Sequence, residues 1–137
     1  MNAFFWLFLF FPFIATAETP QTSQTPCEKL FEPIIQALRN NDAEAFSDRF
    51  AKVIEFDMFD EVKIYSKEQA SQIANNFFLR MSVKRITLKH CSGKEYLKYA
   101  VTEITNAEDL LYRATIFVRI ENDGAAVIQE VRLEKEE

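Results

Sequence analysis

The chain has 137 residues, 48% of them hydrophobic and 27% charged, with 16 Lys plus Arg against 21 Asp plus Glu. That is one domain's worth of ordinary globular composition, which argues against disorder for the bulk of it. The net charge of -5 argues against a nucleic-acid binder, which needs a basic face to neutralise phosphates.

The N-terminus is compositionally distinct. Six of the 14 Phe fall within the first 13 residues, together with the only Trp, Trp6. Ala3 to Ala15 carry no charge, a run shorter than the roughly 20 residues a membrane-spanning helix needs. Ala15-Thr16-Ala17 follows as a small-x-small cleavage pattern. Residues 1–17 therefore read as a secretory signal peptide, although no Lys or Arg precedes the apolar run. An uncleaved anchor or a misassigned start is the alternative. The expected mature chain is exported, periplasmic or extracellular, with no membrane span. Residues 18–25, ETPQTSQT, read as a flexible leader, and 26–135 as one α+β domain.

Two cysteines remain, Cys27 and Cys91. An oxidising compartment favours a disulfide between them, and two unrelated buried thiols are the alternative. Cys27 does not read as a lipid-attachment site, because Thr25-Pro26 precedes it and the apolar run ends well upstream.

Helical signals come first. Thr25 as cap, Pro26 at the first position and Glu28 start a helix carrying Leu30, Phe31, Ile34, Ile35, Ala37 and Leu38. Pro33 predicts a kink or a fresh start within it. Asp42 caps a second short helix over 43–50. Residues 53–64 add a short strand or two. Ser66 and Gln69 form a capping box, followed by Ala70, Ile73, Ala74, Phe77, Phe78 and Met81 as one apolar stripe.

Alternation then predicts four strands, at 83–91, 95–105, 110–121 and 126–134, joined by turns at Ser92-Gly93 and Asn122-Asp123-Gly124. Counting every second residue puts Ile86, Leu88 and His90 on one face, with Leu97, Tyr99 and Val101 inward on the next strand. The third strand turns Tyr112, Ala114, Ile116, Val118 and Ile120 inward. The last turns Val127, Gln129, Val131 and Leu133 inward and Ile128 outward. Helices before strands indicate an α+β architecture, the helices packed on one face of a curved antiparallel sheet.

This order resembles the cone-shaped nuclear transport factor 2-like fold, which ketosteroid isomerase shares. More closely, the chain resembles a family of exported Gram-negative bacterial proteins of unknown function within that fold. The likeness is carried by Ala37-Leu38-Arg39-Asn40-Asn41-Asp42, by 62–70 (VKIYSKEQA), by Phe77-Phe78 and by 127–135 (VIQEVRLEK), and it covers about 34–135. It implies a fold and assigns no activity.

The chemistry available is narrow. His90 is the only histidine, so no multi-histidine zinc site and no HExxH motif can form. Gly93 and Gly124 are the only glycines, which leaves no Walker loop, GxGxxG fingerprint or nucleophile elbow. Neither a CxxC pair nor a calcium-loop spacing occurs among Glu55, Asp57, Asp60 and Glu61. No catalytic residue, metal or cofactor is assigned. The candidate pocket residues are Tyr99, Tyr112, His90, Phe77 and Met81, with Asp57 as a conceivable base should the pocket be an isomerase-like or hydrolase-like active site. On the outward face, Phe117, Arg113, Arg119, Arg132 and Ile128 are candidates for a partner surface, since aromatic and Arg residues dominate binding hot spots. A homodimer through that face is the expected form of such a contact. The preferred reading is a non-catalytic module that binds a small ligand or a protein.

Overall fold

A computed structural model describes residues 26–136, together with Pro12 and Ala15. The segments expected to form the signal peptide and the leader, and the expected Thr25 cap, lie outside the described residues, those two positions apart. In chain order the elements are α1 (Pro26–Arg39), α2 (Ala43–Ser47), β1 (Phe50–Met58), β2 (Glu61–Ser66), α3 (Lys67–Met81), β3 (Val83–Lys94), β4 (Leu97–Asn106), β5 (Leu111–Ile120) and β6 (Ala126–Lys135).

Helix α1 runs through Pro33 without a break. A proline there removes one helical hydrogen bond and costs about 3 kcal/mol. Full burial of Phe31 and Ile34, each contributing roughly 1.5–3 kcal/mol, offsets that loss. Asp42 caps α2 by accepting from the Ala45 N–H at 3.0 Å. This helix is shorter than expected, because Phe50 already belongs to β1. The Asn41 side chain accepts from the Val83 N–H at 2.7 Å and donates to the Val83 carbonyl at 3.0 Å, fixing the α1–α2 turn to the start of β3. Helix α3 carries the full capping box of Ser66 and Gln69, and it buries Ala70, Ala74, Phe78 and Met81.

The six strands form one curved, unclosed sheet in the order β2-β1-β6-β5-β4-β3. Every pairing is antiparallel except β1 with β6, which is parallel. The helices cover one face. Their buried side chains meet Ile54, Phe56, Ala100, Ile104, Ile116, Val118, Ile128 and Leu133 from the sheet in one core. Thr102, a fully buried polar residue among them, donates to the Ala114 carbonyl at 2.9 Å.

Two irregularities decide which side chains face which way. In β3 the register slips between Leu88 and His90, so Lys89 is an extra residue. In β6 it slips opposite Phe117 and Val118, so Gln129 is extra. Each β-bulge reverses the alternation beyond it. The expected turn at Ser92-Gly93 is also displaced: β3 continues to Lys94 and the chain turns at 95–96. Gly93 instead permits close approach. A Cβ at that position would lie 2.3 Å from the Leu97 carbonyl oxygen, at a φ of +135°.

Candidate functional site

The interior side of the sheet encloses a small cavity of about 30 Å³. Its walls are Phe46, Phe56, Met58, Phe77, Phe78 and Ile116 with six other apolar residues, and none carries an ionisable group or a hydroxyl. Sites for drug-sized molecules run to about 300–1,000 Å³. The void fits the packing gap between a curved sheet and its helices. Phe46 meets Phe78, which also lines it, and the neighbouring Phe50 edge-on, with ring centres 5.7 and 5.2 Å apart.

The candidate pocket residues do not converge there. Phe77 lines the cavity, and Met81 is buried in the surrounding core. Tyr112 is inward and half-buried, its ring 6.2 Å from that of Phe59 at the end of the sheet. His90 and Tyr99 are on the opposite face, and both inward assignments are corrected. The bulge at Lys89 turns His90 outward and Cys91 inward. On β4 the buried parity is Ala100, Thr102 and Ile104, so Tyr99 and Val101 point out. Ala100 and Thr102, both fully buried, take the inward positions on either side of Val101. Asp57 is likewise outside, 3.9 Å from Arg132, and cannot act as a base within the cone.

The cysteine pair is closed. Cys27 on α1 and Cys91 on β3 form a disulfide with Cα atoms 6.0 Å apart. The bulge is what brings Cys91 to the helix side.

The outer face is better furnished. His90, Tyr99 and Phe117 form a row across β3, β4 and β5, with ring centres 5.9 and 5.7 Å apart. The Arg132 guanidinium continues the row, 4.8 Å from the centre of the Phe117 ring, a cation–π contact worth about 0.5–1 kcal/mol at a half-exposed site. Arg132 is held from its other side by Glu130, whose Oε1 accepts from Nε at 2.6 Å. That bond, with the charges of Glu130, Asp57 and Glu55, raises the Arg132 pKa above its ordinary value. Beside the rings lies an open basin of about 730 Å³, bordered by Leu97, Tyr99, Phe117 and Glu130 among others. Arg113 and Arg119 are exposed on the same face, each in an ion pair, with Glu136 at 2.9 Å and Glu121 at 2.7 Å. Ile128 is not there. The Gln129 bulge makes it a fully buried core residue, which corrects its place among the partner-surface candidates.

Sequence reasoning passed over the aliphatic part of this face. Val53 and Ile64 are 62% and 68% exposed, and Val62 is exposed as well. They flank Glu55 and Asp57 on the β1–β2 hairpin. The signal was present in the alternation of 53–57 and 62–64, which have apolar residues at positions a half-buried strand would turn outward.

Among the described residues no three or more His, Cys, Asp or Glu side chains gather to hold a metal ion. No helix among them is long and apolar enough to cross a membrane.

No curated protein matches the chain. Solved structures do. A DUF4783 family protein from Bacteroides fragilis YCH46 superposes with a TM-score of 0.70 at 15% identity, covering 77% of this chain and 97% of that one. One from Bacteroides uniformis ATCC 8492 gives 0.71 at 16% identity, over 77% and 96%. An NTF2-like protein of unknown function from Cytophaga hutchinsonii ATCC 33406 gives 0.57 at 14%, over 84% and 94%. At these identities the structures speak for the fold alone, and it is the NTF2-like α+β fold with helices on a curved sheet. The family model for the domain of unknown function DUF4783 matches residues 31–134, nearly the whole of the described chain, and the protein therefore belongs to the DUF4783 family.

Proposed function

We propose that the protein is an exported, non-catalytic binding module whose working surface is the outer face of the sheet and whose partner is a protein. One observation carries this reading: the aromatic and cationic residues lie on the outer face, while the interior holds only an apolar void of about 30 Å³. An enzyme needs convergent titratable groups in a pocket, and a small-ligand carrier needs volume. Half-buried aromatic rings with an Arg stacked on them are the composition of an interface hot spot. The alternative, an acid–base enzyme using the cone, loses His90, Tyr99 and Asp57 to the outside.

Export is supported by the Cys27–Cys91 disulfide, since such bonds persist in oxidising compartments. It is also supported by the signal-peptide pattern at 1–17.

The test is a photo-crosslinking residue placed at Phe117 on the outer face, at Leu79 on the exposed flank of α3, or at Phe77 in the interior. Each variant is expressed in the native compartment. A protein adduct at Phe117, absent at the other two, supports the reading. Adducts confined to Leu79, or a small-molecule adduct at Phe77, overturn it.

A further inference from the structure

The sheet has two edges, β3 and β2, and they are finished differently. An edge strand offers unpaired N–H and C=O groups to any extended chain, so folded proteins blunt such edges with lysines, bulges or a covering segment. The β3 edge has all three. Lys84, Arg85, Lys89 and Lys94 run along it, the bulge at Lys89 breaks its line, and the disulfide ties α1 to it. Asn41 also occupies both the N–H and the carbonyl of Val83 at its start. The β2 edge is left open. Its register with β1 is unbroken, it holds no proline, and its one lysine, Lys63, is folded back on Glu61 at 3.0 Å.

The pairing of β2 with β1 determines which main-chain groups are free. Phe59 and Asp60, with φ of 53° and 68°, make a two-residue turn between the paired residues Met58 and Glu61. A type I′ turn of this kind closes on a hydrogen-bonded pair. Bonding alternates from there, so Lys63 and Tyr65 bond to β1, while Val62, Ile64 and Ser66 aim their N–H and C=O groups off the sheet. The Ser66 N–H agrees with this frame, since it donates to the Gln69 side chain of α3 at 3.3 Å. Among the described residues, those of Val62 and Ile64 meet no partner. The side chains of these same two residues lie on the outer face, 56% and 68% exposed, opposite Asp57 and Glu55. Glu130 stands beyond Glu55, and Arg132 beyond Asp57 is already held by Glu130. On the other face of β2, Tyr65 is half-buried against Phe56, with ring centres 5.6 Å apart.

We infer that β2 is a docking edge for an extended segment of another protein, added to the sheet as a further strand, in which basic residues alternate with apolar ones. Main-chain bonds to Val62 and Ile64 hold it in place. Its outward side chains lie over Val62 and Ile64 toward Glu55 and Asp57, a position suited to Lys or Arg. The methylene stem covers the aliphatic surface and the charged head reaches toward the carboxylates. Its remaining side chains lie beside Tyr65, where an apolar residue fits. A second β2 fits less well, because it brings its own Glu55 and Asp57 to the same acidic strip. The site is separate from the aromatic row and does not depend on what binds there.

The test is an NMR titration of the purified, isotopically labelled protein with synthetic peptides as long as β2. A peptide alternating Val and Lys binds saturably, shifts the amides of 61–66 and slows hydrogen exchange at Val62 and Ile64. Its counterpart alternating Val and Glu binds at least about tenfold more weakly, and Glu55→Gln/Asp57→Asn lowers the affinity for the Lys peptide by about tenfold. N-methylated peptides separate strand addition from simple charge pairing. Residues directly across from Val62 and Ile64 share their face, so the N–H groups of the peptide's lysines point at β2 and those of its valines point away. Methylating the lysine nitrogens abolishes binding, and methylating the valine nitrogens spares it. Ile64→Pro removes an N–H that β1 does not use, so it keeps the fold, as thermal unfolding checks, and loses binding. Absence of saturable binding by the Lys peptide, equal binding of the two methylated forms, or shifts centred elsewhere would overturn the inference. So would self-association of the protein alone with the same protection at Val62 and Ile64, which would make the occupant a second copy. A crosslink at Phe117 is indifferent to all of these outcomes, so the outer-face reading and this one can fail separately.

Discussion

His90 and Cys91 are consecutive in the chain and serve opposite faces of the sheet. The ring of His90 lies 5.9 Å from that of Tyr99 on the outside, and the sulfur of Cys91 is bonded to Cys27 of α1 on the inside. One extra residue at Lys89 makes both possible. The disulfide ties the first helix to an edge strand across 64 positions of sequence. Closing a loop of that length removes chain entropy from the unfolded state worth about 4 kcal/mol.

Replacing both cysteines by alanine is therefore expected to lower unfolding stability by about 4 kcal/mol. Denaturant titration of the two forms measures it. A loss below about 1 kcal/mol would show that α1 is held by its apolar face alone.

The two glycines are expected to respond differently to alanine. At Gly93 the new Cβ meets the Leu97 carbonyl oxygen at 2.3 Å and the Lys98 Cα at 2.6 Å, both backbone atoms that cannot swing aside. Gly93→Ala should cost about 2–4 kcal/mol through displacement of the β3–β4 hairpin. At Gly124 nothing lies within 4 Å, and only its φ of +84° resists the substitution. Gly124→Ala should cost about 1 kcal/mol. Equal losses at the two sites, read by denaturant titration, would contradict the close approach.

In the core, Phe78 meets the edge of Phe46 and is 5% exposed, on the side of α3 that faces the sheet. Phe78→Ala should cost about 3–5 kcal/mol. The exposed Leu79 beside it should tolerate Leu79→Ala within about 0.5 kcal/mol. Unfolding transitions of the two variants give the comparison, and a reversed order would mean that α3 is rotated on the sheet.

One ion pair sets a pH expectation. Lys84 Nζ donates to Asp109 Oδ1 at 2.7 Å, and this bond, with the charge behind it, holds the Asp109 carboxyl below its usual range. A depressed folded-state value stabilises the fold above the ordinary carboxylate range and is lost as pH falls through the depressed value. Both groups are solvent-exposed, so the effect on stability is small. Lys84→Ala should move the Asp109 titration, followed by NMR, upward toward the ordinary carboxylate range, with little change in unfolding midpoint. An unmoved titration would remove Lys84 as the cause.

The residues differ in how much of this they disclose in advance. The capping box at Ser66, the turn at Asn122-Asp123-Gly124, the α3 stripe and the β5 alternation are local patterns, and the structure carries them as read. The sites of His90 and Ile128 were misassigned for a shared reason. Alternation can be counted only along an uninterrupted strand, and a bulge adds a residue without leaving a compositional mark. Lys89 and His90 are both polar, and Ile128 and Gln129 fit either face. Tyr99 fails differently: both faces of β4 carry apolar residues, and the buried set is Ala100, Thr102 and Ile104. Pairing with a neighbouring strand, which no single segment contains, resolves all three.

The account rests on the cone being filled, so that its business is done on the outside. A methyl-NMR titration of the purified protein with benzene reads this directly, because a dry apolar cavity large enough for benzene is about 150 Å³. The account predicts no saturable binding and unmoved methyl signals from Ile104, Ile116 and Leu133, which line the interior void. Saturable binding with shifts confined to those methyls would show that the interior opens to a ligand, and would contradict it.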